Sequence, residues 1–206
     1  MSELKTVSEL TTDTSFYESK TFIDLELEGE ELQGLEFEYC IFKDCNFKET
    51  HLNRCKFLDC QFIHCDMSLS NLGYSRFTEV NFEDCKLLAL DWGKVSWPSF
   101  VPGAVIAFSR CNLSNSSFYG LALAEIEISE CRAHDVDFRG TDLNGSNFSD
   151  TDFSSSLFHN TNLAMANFCG AENYLIDIQN NSVKGATFSR LEATSLLESL
   201  GIVLVD

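Results

Sequence analysis

The sequence predicts an all-β solenoid, a chain wound into a stack of coils, and three observations predict it. A large apolar residue recurs every five positions, as Phe37, Phe42, Phe47, Leu52, Phe57 and Phe62 in the most regular stretch. A small residue stands two places ahead of each centre from Phe42 on: Cys40, Cys45, Thr50, Cys55 and Cys60. The residues between are mostly polar or charged. Neither the helical period of 3.6 nor the flat-strand period of 2 gives this beat, and a fixed short period marks a repeat architecture. A unit that buries its centre and its minus-two residue exposes the other three. No unit can cover its own apolar face, so stability must come from stacked neighbours. Successive turns should pair as parallel strands about 4.8 Å apart.

Residues 1–20 hold few apolar groups and read as an N-terminal lead-in, with Ser15 and Tyr17 placed to begin the register. The repeat domain spans 21–188. Its first coil, Phe22 to Phe37, carries Lys20, Leu25, Glu30 and Leu35 in the minus-two slots. Burying Glu30 would be costly, so an irregular capping coil is expected near Gly29. From Cys40 to Val95 the units are regular. The centres Trp92 and Trp97 are followed by Pro98, Pro102 and Gly103. Proline removes a ladder donor and fixes φ. Here the count of fives slips by one residue, which predicts a kink near 98–107, one inserted residue and no long loop. The register resumes at Phe108 and runs to Phe168. It decays through Asn173, Ile178 and Val183 and recovers at Phe188. Of the 18 Phe, only Phe16 and Phe100 fall outside these registers.

Residues 189–206 change period. Ser189 to Leu200 reads as a helix, with Ser189 and Glu192 at capping-box spacing and Gly201 placed to end it. Ile202 to Val205 reads as a short apolar strand. Exposed on one rod these groups invite aggregation, and a second copy across a two-fold axis would bury them. The expected homodimer interface is Leu196, Leu197, Leu200, Ile202, Val203, Leu204 and Val205.

The 32 acids against 14 Lys and Arg give a net charge of −18. This argues against direct nucleic-acid binding, which draws its affinity from Lys and Arg on phosphates. No apolar run has the length of a membrane span and the first twenty residues do not read as a secretory signal, so the chain is read as soluble and cytoplasmic. It holds no phosphate-binding loop, dinucleotide fingerprint, nucleophile elbow or H-E-x-x-H zinc motif. His51, His64, His134 and His159 all take outward slots, and a filled solenoid offers no shared pocket for paired carboxylates. The expectation is a binding protein, not an enzyme, with no cofactor and no metal.

Units such as Cys45-Asn46-Phe47, Thr141-Asp142-Leu143, Ser146-Asn147-Phe148 and Thr161-Asn162-Leu163 resemble the pentapeptide-repeat family pattern. The resemblance implies a right-handed quadrilateral β-helix with four units per coil, hence roughly eight coils and a rod about 40 Å long. On that count Cys45, Cys65 and Cys85 stack in one ladder, as do Cys40 with Cys60 and Cys111 with Cys131. The parallel Cβ vectors suit disulfides poorly, so these thiols read as small apolar filler. Only Cys169 should point outward.

Further segments resemble the topoisomerase-protecting branch of the family, the albicidin-resistance and Qnr proteins. They are Trp97-Pro98-Ser99-Phe100, Phe158-His159-Asn160-Thr161, Asn173-Tyr174-Leu175-Ile176-Asp177-Ile178 and Ser195-Leu196-Leu197-Glu198-Ser199-Leu200-Gly201-Ile202. That implies a dimeric acidic rod imitating duplex DNA to a type II topoisomerase, DNA gyrase or topoisomerase IV. Over about 80 Å a duplex carries roughly 47 charges, within a factor of two of a pair of −18 chains. The expected partner-binding surface is Asp24, Glu26, Glu28, Glu36, Glu38, Asp59, Glu79, Glu83, Asp84, Asp137, Asp142 and Asp152. The alternative is a repeat scaffold with an unrelated protein partner.

Overall fold

The structure, a computed structural model, describes residues 10, 15–97, 106–203 and 205. The chain is a β-solenoid of about eight turns with parallel pairing throughout. Twenty residues make one coil: Phe22 lies over Phe42 and Phe42 over Phe62, while Phe37 lies over Phe57 and Phe57 over Phe77. Four five-residue units therefore give four faces. One face carries strands Thr21–Ile23, Ile41–Lys43, Gln61–Ile63, Val80–Glu83, Ile106–Ser109 and Glu127–Ser129. Another carries Phe16–Glu18, Glu36–Glu38, Lys56–Leu58 and Arg76–Thr78. The other two are held mainly by single bridges such as Glu26–Asn46, Asn46–Asp66 and Ser117–Asp137.

The five-residue period maps directly onto burial. Every centre from Phe22 to Trp92 is buried, and so is every centre from Phe108 to Phe168. Stacked rings fill the axis: Phe22–Phe42, Phe42–Phe62, Phe62–Phe82 and Phe82–Phe108 have centroids 4.8, 4.7, 4.8 and 5.4 Å apart. Neighbouring faces meet edge to ring, as Phe37 and Phe42 do at 76°. Both arrangements are favoured by the ring quadrupole.

The minus-two slot does more than fill space. Ser75 Oγ donates to the Leu52 carbonyl at 3.0 Å and accepts the Cys55 N–H at 2.9 Å. Cys85 Sγ does the same with the Phe62 carbonyl and the Cys65 N–H, both at 3.3 Å. Slot residues with a thiol or hydroxyl thus staple the corner of the coil before them and satisfy backbone groups that would otherwise be buried unpaired, Ser146 excepted, whose hydroxyl has no partner among the described residues. The thiols are free, as expected, and all but Cys169 are buried. They are not mere filler, however: thiol and hydroxyl share one donor role, the thiol more weakly.

Corners turn through positive φ two residues after nearly every centre, the 3-10 turn Trp92–Lys94 being an exception. Asp24, Asp44, Asp59 and Asp84 lie between 50° and 54°, where Asp and Asn are tolerated better than most residues. Gly29 takes its ordinary place in this series at 71°, so the first coil is regular, not irregular as expected. Glu30 avoids burial because its side chain is exposed at the end of the stack. Tyr17 opens the register, stacked on Phe37 at 5.2 Å, and its hydroxyl donates to the Leu10 carbonyl.

The slip after Trp97 is larger than one residue. Phe82 pairs with Phe108, Lys86 with Asn112 and Asp91 with Ser117, each separated by 26 residues and not 20. The slot bonds lengthen alike: Cys65 reaches back 23 residues to Phe42, but Cys111 reaches back 29 to Phe82. The coil therefore holds six surplus residues. A count of fives cannot distinguish one from six, since the two differ by a whole unit. The expected kink at 98–107 falls mostly on 98–105, outside the described residues. Ahead of it Trp92 is buried and stacked on Phe118, and Trp97 Nε1 donates to the Trp92 carbonyl at 2.9 Å.

Near the other end Phe158 bridges Ile176, an 18-residue step. Tyr174 and Ile176 are buried there, whereas Asn173 is exposed and Ile178 only half-buried. The inward positions thus differ from the expected 173 and 178. The tail helix is short: a 3-10 turn Glu192–Thr194 runs into an α-helix Ser195–Glu198. Ser189 does not cap it. Phe188 pairs with Phe168, which ties Ser189 to the coil before it, and its hydroxyl accepts the Gly170 N–H at 2.8 Å. Gly201, at φ 73°, ends the helix with bonds from Gly201 N to Glu198 O and Ile202 N to Leu197 O, a Schellman cap. Ile202, Val203 and Val205 join no strand. A strand needs a partner edge, and one chain supplies none here.

Candidate functional site

Three of every five residues face outward, and the acids occupy those places. The expected surface divides among the four faces. Glu36, Glu38, Asp59, Glu79 and Asp142 share one. Asp24, Glu83 and Asp84 lie on the second, Glu26, Glu28 and Asp152 on the third, and Asp137 alone on the fourth. No face gathers them all, because the five-residue repeat carries its acids to every side in turn.

Half of these carboxylates have a Lys, Arg or His side chain beside them. Lys48 binds Glu28 at 3.0 Å and Lys56 binds Glu36 at 2.5 Å. Arg110 clamps Asp84 at 2.9 Å and also engages Glu83, with His64 3.6 Å from Asp84. Arg139 pairs with Asp137 at 2.8 Å and His134 with Asp152 at 2.6 Å. The Arg110 hydrogen bond holds Asp84 below the usual carboxylate range, and the Lys48 hydrogen bond does the same for Glu28. Asp152 has the most hydrogen-bond donors of the group, from His134, Ser154 and Asn173. Burial pushes its carboxyl up, but the Asn173 amide, the Ser154 hydroxyl and His134 outweigh that and leave it depressed. Such exposed pairs add little stability; here they decide how much negative charge the surface presents.

The other acids have no Lys, Arg or His partner among the described residues. Glu26 accepts from Asn46 at 2.9 Å and Asp142 from Asn162 at 2.8 Å, both neutral donors. Glu79 faces Asp59 on the adjoining coil, and the hydrogen bond and like charge between them raise the Glu79 carboxyl. Of the acids with no cationic partner among the described residues, Glu38, Asp59, Glu79 and Asp142 share one face, on which Glu36 is paired with Lys56. Apart from Arg139, two positions from Asp137, these cations were invisible to a reading of adjacent residues: Lys48 lies 20 positions from Glu28, and Arg110 lies 26 from Asp84. Only the coil length exposes those pairs.

At the opposite end the tail presents apolar groups. Leu196 packs onto the core, while Leu197, Leu200 and Ile202 are exposed by 37, 43 and 44% and Val203 and Val205 almost fully. Leu204 lies outside the described residues. Among the described residues no three His, Cys, Asp or Glu side chains are placed to hold a metal ion, and no helix is long and apolar enough to cross a membrane.

A four-faced coil with apolar centres and outward acids defines an acidic repeat solenoid. The family model for the pentapeptide repeat region matches residues 35–101 and 104–168, and the chain belongs to that family. No curated protein matches it. Among solved structures it is similar to full-length QnrB1, a plasmid-mediated fluoroquinolone resistance protein, with 21% identity, a TM-score of 0.50 and coverage of 97% of both chains. It is also similar to a trypsin-treated form of QnrB1, with 23% identity, a TM-score of 0.50 and coverage of 93% of this chain and 92% of that one.

Proposed function

We propose that this chain is an acidic binding protein that imitates duplex DNA to a type II topoisomerase, DNA gyrase or topoisomerase IV, and modulates it or shelters it from inhibitors. The observation that carries the reading is the four-faced rod with a net charge of −18 and the acids Glu38, Asp59, Glu79 and Asp142 gathered on one face without a cationic partner among the described residues. Its likeness in fold to QnrB1 supports it. The apolar tail at Leu197, Leu200, Ile202, Val203 and Val205 joins two copies end to end, doubling the length of the rod. The coil after Phe82 holds six surplus residues where one was expected.

The test is supercoiling and drug-induced cleavage by purified gyrase, run with and without a fluoroquinolone. Salt-sensitive inhibition or protection at micromolar protein is expected; no change in either reaction ends the proposal. Leu200→Arg should leave the rod folded and halve the mass in light scattering. The alternative is a scaffold for an unrelated protein, and the pairing of half the expected acidic surface with Lys, Arg or His favours it. Capture from lysate discriminates, since recovery of gyrase subunits that fades with salt belongs to mimicry alone.

A further inference from the structure

One corner of the rod breaks the acidic pattern. Arg54, Tyr74 and Lys94 occupy the same corner position on three successive coils, with Lys56 and Arg76 just around the edge. Lys56 is paired to Glu36. Arg54, Arg76 and Lys94 make no ion pair among the described residues, in a chain with more than twice as many acids as Lys and Arg. Tyr74 stands between them with its side chain 73% exposed.

Beside this corner lies a recess of about 540 Å³ lined by Glu31, His51, Asn53, Asn71, Tyr74 and Lys94. Its floor is bare because Gly73 and Gly93 fill the position where the adjoining coils carry Gln33, Asn53 and Tyr119. Neither glycine has the left-handed φ that would demand it. A Cβ at Gly73 would meet only Asn71 Oδ1, at an ordinary 3.4 Å. The nearby acids do not close the site. Asp91 accepts the Gly93 N–H, Glu36 is held by Lys56, Asp59 and Glu79 engage each other on the next corner, and Glu31 sits on the rim.

The geometry points to this corner and recess as a docking surface for an acidic segment of a partner protein, an extended run of Asp and Glu. The three cations span two coil spacings, about 10 Å, broader than one phosphate and within reach of carboxylates on alternate residues of an extended strand. Guanidinium forks and a lysine suit carboxylates, and an exposed tyrosine gives a rigid contact at low entropic cost. A long polyanion such as nucleic acid would be repelled by the acids beyond the corner, whereas a short acidic segment ends inside it. A duplex has no cationic corner, so this surface is independent of DNA imitation and does not rest on it.

The test is fluorescence anisotropy of a labelled tetrapeptide of alternating Glu and Asp, about 13 Å when extended, with the full chain. Saturable binding at about 50 mM salt, weakening as screening increases, is expected. Arg54→Ser/Arg76→Ser/Lys94→Ser should lose at least about tenfold in affinity, or about 1.4 kcal/mol. Lys20→Ser/Lys43→Ser/Lys184→Ser makes the same change in net charge elsewhere on the exposed surface and should bind as the parent does. Gly73→Phe, which covers the floor without altering charge, should also weaken binding. Absence of saturable binding, equal loss in the two triple variants, or preference for a single-stranded oligonucleotide over the peptide would each overturn the inference.

Discussion

The coils before Trp97 and those after Phe108 share a backbone but are filled differently. Thiols are the commonest residues in the earlier slots, Cys40, Cys45, Cys55, Cys60, Cys65 and Cys85 beside the hydroxyls of Thr50, Ser70 and Ser75, and the ring stack through Phe22, Phe42, Phe62, Phe82 and Phe108 is unbroken. The later slots hold Ser116, Thr141, Ser146, Thr151, Ser156 and Thr161, and the same stack is interrupted by Ile128, then resumes with Phe148 and Phe168 tilted by 43°. The later hydroxyls donate at 2.8 Å from Thr141 to the Phe118 carbonyl and 2.9 Å from Thr161 to the Phe138 carbonyl. The earlier thiols sit at 3.4 Å from their carbonyls at Cys60 and Cys65. One half is held more by ring stacking, the other more by hydrogen bonds at the corners.

The largest expected effect ignores that difference. Phe148→Arg and Phe62→Arg each bury an unpaired charge in a filled axis, and both should abolish the folded signal in circular dichroism. Truncation separates the halves. Phe62→Ala should cost about 3–5 kcal/mol in urea unfolding, and more than Phe148→Ala, because Phe62 is face-stacked on both sides. Equal losses would dissolve the contrast.

The slots sharpen it further. Thr141→Val leaves the Phe118 carbonyl without its hydroxyl donor and should cost about 1–2 kcal/mol. Cys60→Ser, which trades a weak donor for a stronger one, should stay within about 1 kcal/mol. The smallest effect concerns Asp152. Its carboxyl is depressed in the folded state, so the stability it lends is present above the unfolded value of 3.8 and is lost as pH falls through the folded one. The difference in melting temperature between Asp152→Asn and the parent should therefore shrink as pH is lowered below about 4. A difference independent of pH would assign the effect to packing with Ser154 and Asn173 instead.

Much of this was legible from residue types. The centres Phe47, Phe57 and Phe148 all line the axis, as their spacing required, because a large apolar side chain every fifth residue has no other common side to occupy. The helical tail was less legible. Ser189 and Glu192 have the spacing of a capping box, but the pairing of Phe188 with Phe168 claims Ser189 first. Local propensity lost to a contact 20 residues away. The acidic surface was legible as a total and not as a pattern, since the partners of Glu28 and Asp84 are set by the coil.

The chain by itself determined which side chains go inside, which corners turn and how negative the surface is, because those depend on residue identity at a five-residue beat. The stacked structure alone decided that a slip of one is a surplus of six, that thiols and hydroxyls staple the coil before them, and that Arg54, Arg76 and Lys94 stand together at one corner and its edge without an ion pair among the described residues. These depend on what lies 20 or 26 residues away, and that distance is fixed only when the coil closes.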